Sequence, residues 1–274
     1  MSVVLVTGAS SGIGLATAIA FAKRGDRVFG SVRDDRGAGS LRAAATEHEV
    51  LTSAVQFDLT NDDQVQRGVA SILAEAGRID VVVNNAGVGH FGPIETTTDE
   101  QWRILFEVNV LGVARVCRAV LPAMREAGSG VIVNISSING KITGSFGGPY
   151  AASKFALEAL SESLLFEVEP FGIRVVVVEP GQFDTSIFDK GRARPLVDSV
   201  YSERETRFRS RLPEPGVAAD PFVAADVIVA AAYGSRPGFR HPAGSDAEFL
   251  LAARAKANDD EWLELVRSFI RQNP

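Results

Sequence analysis

The sequence predicts an α/β fold in which a doubly wound parallel sheet is covered by helices on both faces. Short β-branched runs alternate with longer helical patterns along the chain, as expected of repeated strand–helix–strand units. Several of these runs are apolar without alternation, which is typical of strands buried on both faces. No internal repeat and no low-complexity linker interrupts the pattern, so we expect a single domain over residues 1–274.

The predicted strands and helices follow each other in a regular order. Six strands are expected at 3–6, 28–29, 54–57, 81–83, 131–133 and 175–178. The clearest helical patterns lie between them, at 14–23, 64–76 and 102–126. A last, short strand is expected at 239–242.

Two later segments depart from the alternation. Residues 180–216 hold Pro195, Pro213 and Pro215 among aromatic residues and arginines, and proline interrupts both helices and sheets. We therefore expect an inserted substrate lobe after the sixth strand, at about 182–218. Two short helical patterns predict a C-terminal helical extension at about 245–272.

Composition and charge exclude several classes of function. The net charge is −6 and the isoelectric point is about 5.2, which gives no electrostatic basis for binding nucleic acid or an anionic membrane surface. No apolar stretch is long enough to span a bilayer, and the first residues form a strand pattern rather than a signal peptide. Cys117 is the only cysteine, which fits a reducing compartment. We expect a cytoplasmic protein without a nucleic-acid or membrane partner, and we assign no metal site.

A glycine-rich turn follows the first strand and opens the first predicted helix. Glycines allow a tight turn and a close approach of the backbone to a pyrophosphate, and a helix N-terminus offers free N–H groups and a positive dipole end. The alternative is a turn that only connects a strand to a helix, but its position after the first strand favours a dinucleotide site. The predicted site consists of Gly8, Ser10, Ser11, Gly12, Ile13 and Gly14.

Tyr150 and Lys154 are one turn apart on a predicted helix, which places both on one face. A phenol has a reference pKa of about 10, and a nearby ammonium is expected to lower the pKa of Tyr150 enough for proton exchange at neutral pH. Ser136 and Ser137 end the preceding strand, at the sheet edge where ligands bind in open α/β folds. Strand alternation directs the two serines to opposite faces, so only one of them can serve this site.

These motifs together resemble the classical short-chain dehydrogenase/reductase family. Besides the glycine turn, the family's order is followed by Asn84-Asn85-Ala86-Gly87, Tyr150-Ala151-Ala152-Ser153-Lys154 and Pro180-Gly181. The resemblance covers roughly residues 3–185 and implies a Rossmann-type fold and a nicotinamide-dependent oxidoreductase. In pattern the chain is nearest to the hydroxysteroid and retinol dehydrogenase branches. Members of the family are usually homodimers or homotetramers, and we expect the same here.

The resemblance also implies roles for single residues. The family's serine stands thirteen positions before the tyrosine, which selects Ser137 as the hydroxyl that orients and polarises the substrate oxygen. Asn109, an unusual residue inside a predicted helix, is implied to hold a water that relays protons toward Lys154; an exposed asparagine without a partner is the alternative. The residues implied to contact the cofactor beyond the glycine turn are Asp58, Leu59, Asn85, Ala86, Gly87, Tyr150, Lys154, Pro180, Gly181, Phe183 and Thr185. Asp58 has an alternative role as a cap of the helix that begins near Asn61.

The end of the second strand favours NADP(H), with NAD(H) as the alternative. An acidic residue at this point bonds the ribose 2′-OH of NAD, whereas an arginine nearby accommodates the 2′-phosphate of NADP. Val32 cannot bond a diol, and the guanidinium of Arg33 suits a phosphate. If Asp34 bound the diol instead, the protein would prefer NAD(H).

The predicted reaction is hydride transfer between nicotinamide C4 and a small-molecule secondary alcohol or ketone. A hydrophobic substrate would fit the expected walls, which are His90, Phe91, the 138–146 loop with Ile142 and Phe146, and lobe residues Ile187, Phe188 and Leu196. The arginines between 192 and 211 are expected to form a solvated face rather than an acid-binding site. Two other hypotheses remain: a non-catalytic NADPH-binding redox sensor, and an epimerase or dehydratase that uses its cofactor transiently.

Overall fold

The structure is a computed structural model that describes residues 1–187, 198–212, 214 and 216–272. Its described strands form one parallel sheet in the order β3-β2-β1-β4-β5-β6-β7. The direction of winding reverses between β1 and β4, and clefts at such a reversal hold ligands in open α/β sheets. The strands are β1 (Val3–Val6), β2 (Arg27–Val32), β3 (Thr52–Gln56), β4 (Val81–Asn84), β5 (Gly130–Ile135), β6 (Ile173–Pro180) and β7 (Arg240–Ala243).

Helices connect the strands and end the chain. Side-chain oxygens of Asp34, Asn61 and Thr98 accept hydrogen bonds from the first turns of the second, third and fourth helices, which fixes where these helices begin. The α-helices are α1 (Gly12–Lys23), α2 (Asp35–Glu47), α3 (Asp62–Ala76), α4 (Asp99–Phe106), α5 (Gly112–Ala127), α6 (Gly148–Val168), α7 (Ser202–Arg209), α8 (Pro221–Ala232), α9 (Ser245–Lys256) and α10 (Asp259–Gln272).

The sheet has a hydrophobic core on each face. Successive residues of β1 point to opposite sides, so that Leu5 belongs to one core and Val4 to the other. The Leu5 side includes Val116 of α5 and Leu157 of α6. The other side is closed by α1 and α8, which pack closely together. Burial on both faces is the physical reason why the strands are apolar without alternation.

The predicted fold is confirmed, with some differences at the ends of elements. The helical pattern at 102–126 corresponds to α4 and α5, which are joined by a π-helix at Glu107–Leu111. The short strand expected at 239–242 is β7, and the two helices expected near the C-terminus are α9 and α10. Of the expected lobe, α7 is described, whereas residues 188–197, 213 and 215 lie outside the described residues. None of the described helices is long and apolar enough to cross a membrane.

Candidate active site

A cavity of about 600 Å³ opens at the carboxyl ends of the strands and runs from the glycine turn to α7. It brings together every predicted cofactor residue and three of the four predicted catalytic residues. Asn109 does not line it. The predicted residues along its walls are Gly8, Ser10, Ser11, Gly12, Ile13, Gly14, Arg33, Asp58, Leu59, Asn85, Ala86, Gly87, Ser137, Tyr150, Lys154, Pro180, Gly181, Phe183 and Thr185.

The glycine turn is tightly packed against the end of β4. Gly8 and Gly12 have positive φ angles of 68° and 56°, a conformation that other residues rarely adopt. Gly14 lies in helical conformation, but a Cβ there would collide with the Asn85 amide and the Gly8 carbonyl. The Ser11 side chain makes no capping hydrogen bond at the start of α1. The first N–H groups of α1 therefore remain available to an anion.

Thr7 stabilises this turn by hydrogen bonds. No role was assigned to it from the sequence. Its Oγ1 accepts hydrogen bonds from the backbone N–H groups of Asn85 and Ala86, at 3.0 and 3.1 Å. The Asn85 side chain in turn donates to the Thr7 carbonyl at 2.9 Å. Ser31 Oγ accepts from the Gly8 N–H at 3.2 Å. The signal for both hydroxyl residues was weak, because Thr7 directly follows the apolar strand β1 and Ser31 stands alone within the mostly apolar strand β2.

The three consecutive residues at the end of β2 have different environments, which distinguish their possible roles. Val32 is buried, while Arg33 is exposed and lines the cavity. Asp34 caps α2, where its carboxylate accepts from the Gly37 N–H at 2.8 Å. This cap occupies an oxygen of Asp34, whereas no carboxylate of the described residues pairs with Arg33. Of the two polar residues, Arg33 is therefore the one with an uncommitted side chain at the cavity.

The sequence allowed Asp58 an alternative role as the cap of α3. The structure shows that Asp58 does not have this role. Asn61 is the cap, and it accepts from the Gln64 N–H at 3.0 Å. Asp58 Oδ1 instead accepts from both the N–H and the hydroxyl of Thr60, each at 2.8 Å. This local turn holds Asp58 and Leu59 at the cavity wall.

Ser137, Tyr150 and Lys154 converge where β5 ends and α6 begins. The Ser137 side chain is hydrogen-bonded to the Tyr150 phenol, and its Oγ also accepts from the Asn139 N–H at 3.1 Å. The Lys154 Nζ donates to the Ile135 carbonyl at 2.8 Å and lies 5.8 Å from the centre of the Tyr150 ring. A hydroxyl, a phenol and a cation are thus held together, all buried.

Burial sets the protonation of this trio. It raises the pKa of Tyr150 to about 12, although the hydrogen bond from Ser137 acts in the opposite direction. The prediction of a lowered Tyr150 pKa was therefore wrong for this structure, because the loss of water around a buried phenolate outweighs the opposing effect of the Ser137 hydrogen bond. Burial also lowers the pKa of Lys154 to about 8, against the influence of Glu158. At neutral pH the phenol holds its proton and the lysine is mostly charged.

Asn109 lies in the π-helix between α4 and α5, and it is buried. Its Nδ2 donates to the Val88 carbonyl and to Ser153 Oγ, both at 2.9 Å, and its Oδ1 accepts from the Val88 N–H at 2.9 Å. The alternative of an exposed asparagine without a partner is therefore wrong. A π-turn widens the helix locally and often marks a functional site. Ser153, the residue before Lys154, was missed although it stands in the tyrosine motif. Its hydroxyl accepts from Asn109 and donates to the Tyr150 carbonyl at 2.7 Å, and so connects Asn109 to the start of α6.

Aromatic rings form the far end of the cavity. Phe208 of α7 lies 5.9 Å from Phe91 and 5.6 Å from Phe146, and Phe91 lies 6.1 Å from Tyr150, measured between ring centres. Ile187 lines the cavity as expected.

Three of the expected wall residues are not found there. His90, Ile142 and Phe146 do not line the cavity, which corrects their assignment as walls. The His90 ring nitrogen is instead 3.3 Å from Thr97 Oγ1. Phe188 and Leu196 lie outside the described residues.

Two of the three arginines of α7, Arg207 and Arg209, pair with carboxylates of the same helix. Arg207 pairs with Glu203 on the outer face. Arg209 and Glu205 form a 2.5 Å pair that is buried, so this part of the expected solvated face lies inside the protein. Arg192 and Arg194 lie outside the described residues.

Comparison with known proteins identifies the family. Residues 2–195 match the family described as short chain dehydrogenase. The chain is 42% identical over 209 residues to a 3-ketodihydrosphingosine reductase of Bacteroides thetaiotaomicron, covering 76% of this chain and 74% of the relative.

Solved structures with bound nucleotides are similar over most of the chain. A metagenomic short-chain oxidoreductase in complex with NADP is 31% identical with a TM-score of 0.69, covering 89% of this chain and 97% of that chain. A short chain dehydrogenase/reductase from Burkholderia phymatum in complex with NAD is 26% identical with a TM-score of 0.81, covering 96% and 95%. This chain therefore belongs to the short-chain dehydrogenase/reductase family, whose members are oxidoreductases acting on CH–OH groups.

Proposed function

We propose that this protein transfers a hydride between NADP(H) and a hydrophobic secondary alcohol or ketone, with Ser137, Tyr150 and Lys154 as catalytic residues. The observation that carries the proposal is the hydrogen bond between Ser137 and Tyr150 inside the cavity that also contains the glycine turn. A proton donor and an orienting hydroxyl thus share one cavity with a pyrophosphate-binding turn. When bound, the nicotinamide supplies or accepts the hydride at C4.

The residues of the turn fit a dinucleotide. A Cβ at Gly8 would lie 2.9 Å from Ala86 Cα, and one at Gly12 would lie 3.0 Å from Thr185 Cγ2, so the backbone is kept bare where a pyrophosphate would approach. The first turn of α1 carries no acidic residue that would repel an anion.

We assign the rest of the cofactor along the same cavity wall. Asp58 and Leu59 would flank the adenine, and Lys154 would bond the nicotinamide ribose. The remaining contacts would come from Asn85, Ala86 and Gly87 along the groove and from Pro180, Gly181, Phe183 and Thr185 beside the nicotinamide.

Arg33 supports NADP(H) over NAD(H). Its guanidinium lies at the cavity, where it suits bidentate contact with a 2′-phosphate. The acidic alternative, Asp34, already accepts a hydrogen bond at the start of α2. The two similar structures contain NADP in one case and NAD in the other, so the choice rests on Arg33 and Asp34 themselves.

In the direction of ketone reduction, Tyr150 gives its proton to the carbonyl oxygen while the hydride reaches the carbonyl carbon. The C=O π bond becomes a C–H and an O–H bond, and Ser137 holds the oxygen on which charge develops. The ammonium of Lys154 stabilises the phenolate that remains. We propose that Asn109 helps to hold a water on the path that returns a proton to Tyr150. Alcohol oxidation follows the same steps in reverse.

The walls of the far end support a hydrophobic substrate. Phe91 and Phe208 face each other there, with Ile187 and Leu212 beside them. Among the described residues that line this half, no side chain other than Lys154 carries a formal charge. An apolar ketone gains from burial against these groups, whereas a free carboxylate on the substrate would lose its hydration without a partner. The similarity to a 3-ketodihydrosphingosine reductase supports a substrate with a long apolar chain.

The test follows the near-ultraviolet absorbance of NADPH with a panel that includes 2-decanone, acetophenone and acetoacetate. We expect turnover with the apolar ketones and little with acetoacetate. Tyr150→Phe should lower the rate by roughly 10²- to 10⁴-fold, the usual contribution of a general acid, while thermal stabilisation by NADPH persists. Turnover by Tyr150→Phe near the wild-type rate would contradict the mechanism. Binding of NADPH without reduction of any ketone would favour the redox-sensor hypothesis.

We further propose that residues 1–274 form one domain and that the chain assembles as a homodimer or homotetramer. Leu111, Phe155 and Phe166 are 47%, 43% and 66% exposed around α5 and α6, and apolar side chains clustered on helix faces favour association. Light scattering after size-exclusion chromatography tests this, and a monomer at micromolar concentration would contradict it.

A further inference from the structure

A buried polar cluster lies directly behind the candidate active site. Ser136, Glu158 and Glu179 are 3%, 4% and 2% exposed. Within the part of the chain that the structure describes, Ser136 Oγ, Glu158 Oε1 and Glu179 Oε1 each lack a hydrogen-bond partner. Burying polar atoms without partners costs free energy of folding. The presence of this cluster therefore indicates a function other than stabilising the fold.

Arg240 of β7 fixes one end of the cluster. Its Nε donates to Glu158 Oε2 at 2.8 Å, and its Nη2 donates to Glu162 Oε2 at 2.7 Å. One oxygen of Glu158 is thereby held by a charge-assisted hydrogen bond from the guanidinium. Because Glu162 is bound by the same guanidinium but is exposed, it provides a matched control for Glu158.

Gly140 makes room for the other end. A Cβ at Gly140 would lie 2.5 Å from Ser136 Oγ, 2.9 Å from Glu158 Cγ and 3.1 Å from Glu158 Oε1. The side chains of Ser136 and Glu158 therefore border the space left by this glycine.

Glu158 follows Lys154 by one helical turn, so both side chains project from the same face of α6. The Lys154 ammonium is buried, and its one hydrogen bond within the described residues goes to the Ile135 carbonyl. A buried ammonium with one acceptor is prone to lose its proton. The nearest source of compensating negative charge on the same helix is the Glu158 carboxylate.

We propose that Glu158 is a positioning residue that keeps Lys154 in its charged form, with Arg240 holding the Glu158 carboxylate in place. The proposal rests on the proposed function in one respect, since Lys154 matters through its charge next to Tyr150. The effect is electrostatic and acts across one turn, because Glu158 and Lys154 make no direct salt bridge in the described structure.

The other charged groups around Glu158 act in known directions. From β6, Glu179 faces it, and burial together with the charge of Glu158 raises the pKa of Glu179 to about 7. Lys141, after the Ile138–Gly140 turn, and Arg240, from β7, both favour the ionised form of Glu179. On α6 itself, the bonds of Arg240 lower the pKa of Glu162. Below neutral pH Glu179 is protonated and adds no negative charge beside Glu158.

Lysine side-chain NMR tests the proposal without any substrate. The sequence contains only five lysines, so the ¹³Cε signals of labelled protein can be resolved, and Lys154→Met identifies the signal of interest. We expect Glu158→Gln to lower the titration midpoint of Lys154 by about one pH unit, the lower end of the effect of a close opposite charge. Glu162→Gln should move it by less than about a quarter of that, because an exposed charge is screened by water.

One further variant, Glu158→Asp, keeps the result decisive. Glu158→Asp retains the charge but draws it back by one methylene, so an intermediate midpoint is expected; this variant also replaces Glu158→Gln should the latter not fold. A Lys154 midpoint unchanged in both Glu158 variants, or lowered equally by Glu162→Gln, would overturn the proposal and leave Glu158 as an anchor for β7. Failure to reduce any ketone would count against the proposed function only, since the NMR midpoint does not depend on turnover.

Discussion

The ammonium of Lys154 donates its hydrogen bond to the backbone carbonyl of Ile135, 2.8 Å away. Ile135 is the last residue of β5, two positions before Ser137. The strand that presents the serine thus also fixes the lysine, and both line the cavity together with Tyr150. Because β5 both leads to Ser137 and accepts the hydrogen bond of Lys154, it holds the serine in a fixed position relative to Tyr150 and Lys154 of α6.

The pH dependence of ketone reduction follows from this arrangement. Burial lowers the pKa of Lys154 to about 8 and raises that of Tyr150 to about 12. A lysine with a lowered pKa is fully charged only well below that value, so kcat should be level near neutral pH. Above pH 8 it should fall by about tenfold per unit as the ammonium is lost, while Tyr150 keeps its proton.

Steady-state rates from about pH 6 to pH 10 check this prediction. Lys154→Arg is the control, since a guanidinium remains charged throughout this range, and its residual activity should show no alkaline decline. A wild-type profile that stays level up to pH 10 would mean that the charge of Lys154 does not limit the reaction.

Arg33→Ala should change cofactor preference. Loss of a charge-assisted contact with the 2′-phosphate costs about 1.5–3 kcal/mol, which corresponds to roughly a 10- to 100-fold increase in the KM for NADPH. The KM for NADH should change by less than about twofold, because NADH carries no phosphate at that position. Arg36→Ala, an exposed arginine that does not line the cavity, is the control. Equal losses with NADPH and NADH would assign Arg33 a structural role.

Local patterns were sufficient to predict the parallel sheet, the glycine turn, the Tyr150–Lys154 pair and a serine at the end of the fifth strand, whereas the choice of Ser137 over Ser136 came from the family resemblance. Each depends on neighbours in sequence: an apolar run, a strand end, or two residues one turn apart. The partners of Asn109 could not be predicted, because Val88 and Ser153 are 21 and 44 positions away. The residue type was noticed, but its surroundings depend on tertiary packing.

Long-range packing also explains why two electrostatic features of the site, an ion pair and a raised pKa, could not be predicted from the sequence. Glu158 and Arg240 are 82 positions apart, and nothing near either residue predicts that they meet. The raised pKa of Tyr150 has a similar origin. The sequence places a cation one turn away, but how deeply α6 buries the phenol depends on elements such as β5 and α7 that close around it.

Gly14→Ala should weaken cofactor binding. The added Cβ would meet the Asn85 amide and the Gly8 carbonyl, and because both belong to the packed turn, the backbone must move away from the pyrophosphate position. We expect the Kd for NADPH to rise at least roughly tenfold, measured by titration calorimetry.

The matched control for this change is Gly39→Ala in α2. A Cβ at Gly39 would meet nothing within 4 Å, and alanine is favoured over glycine in an exposed helix by about 1 kcal/mol. This variant should bind NADPH normally and melt at a slightly higher temperature. Normal binding by Gly14→Ala would show that the turn tolerates displacement and would remove the main support for its role.

Glu179→Gln should stabilise the protein, and by an amount that grows with pH. Burial, followed by the charge of Glu158, raises the pKa of Glu179 to about 7, compared with 4.5 for an unperturbed glutamate. Between these values the unfolded chain loses the proton while the folded chain keeps it. The contribution of Glu179 to the free energy of unfolding of the wild type is therefore complete below about pH 4.5, and it is lost as the pH rises to 7.

Melting temperatures of wild type and Glu179→Gln at about pH 5 and pH 8 measure the effect, because other titrations cancel in the difference. We expect the variant to gain about 2 kcal/mol relative to wild type between these conditions, or roughly 5 °C for a chain of this size. Glu162→Gln should instead lose stability relative to wild type as the pH rises. The bond of Glu162 to Arg240 lowers the pKa of Glu162, so this bond stabilises the fold only where the carboxylate is ionised. An identical melting difference for Glu179→Gln at both pH values would mean that Glu179 does not titrate in this range, and that the cluster behind Lys154 carries a fixed charge.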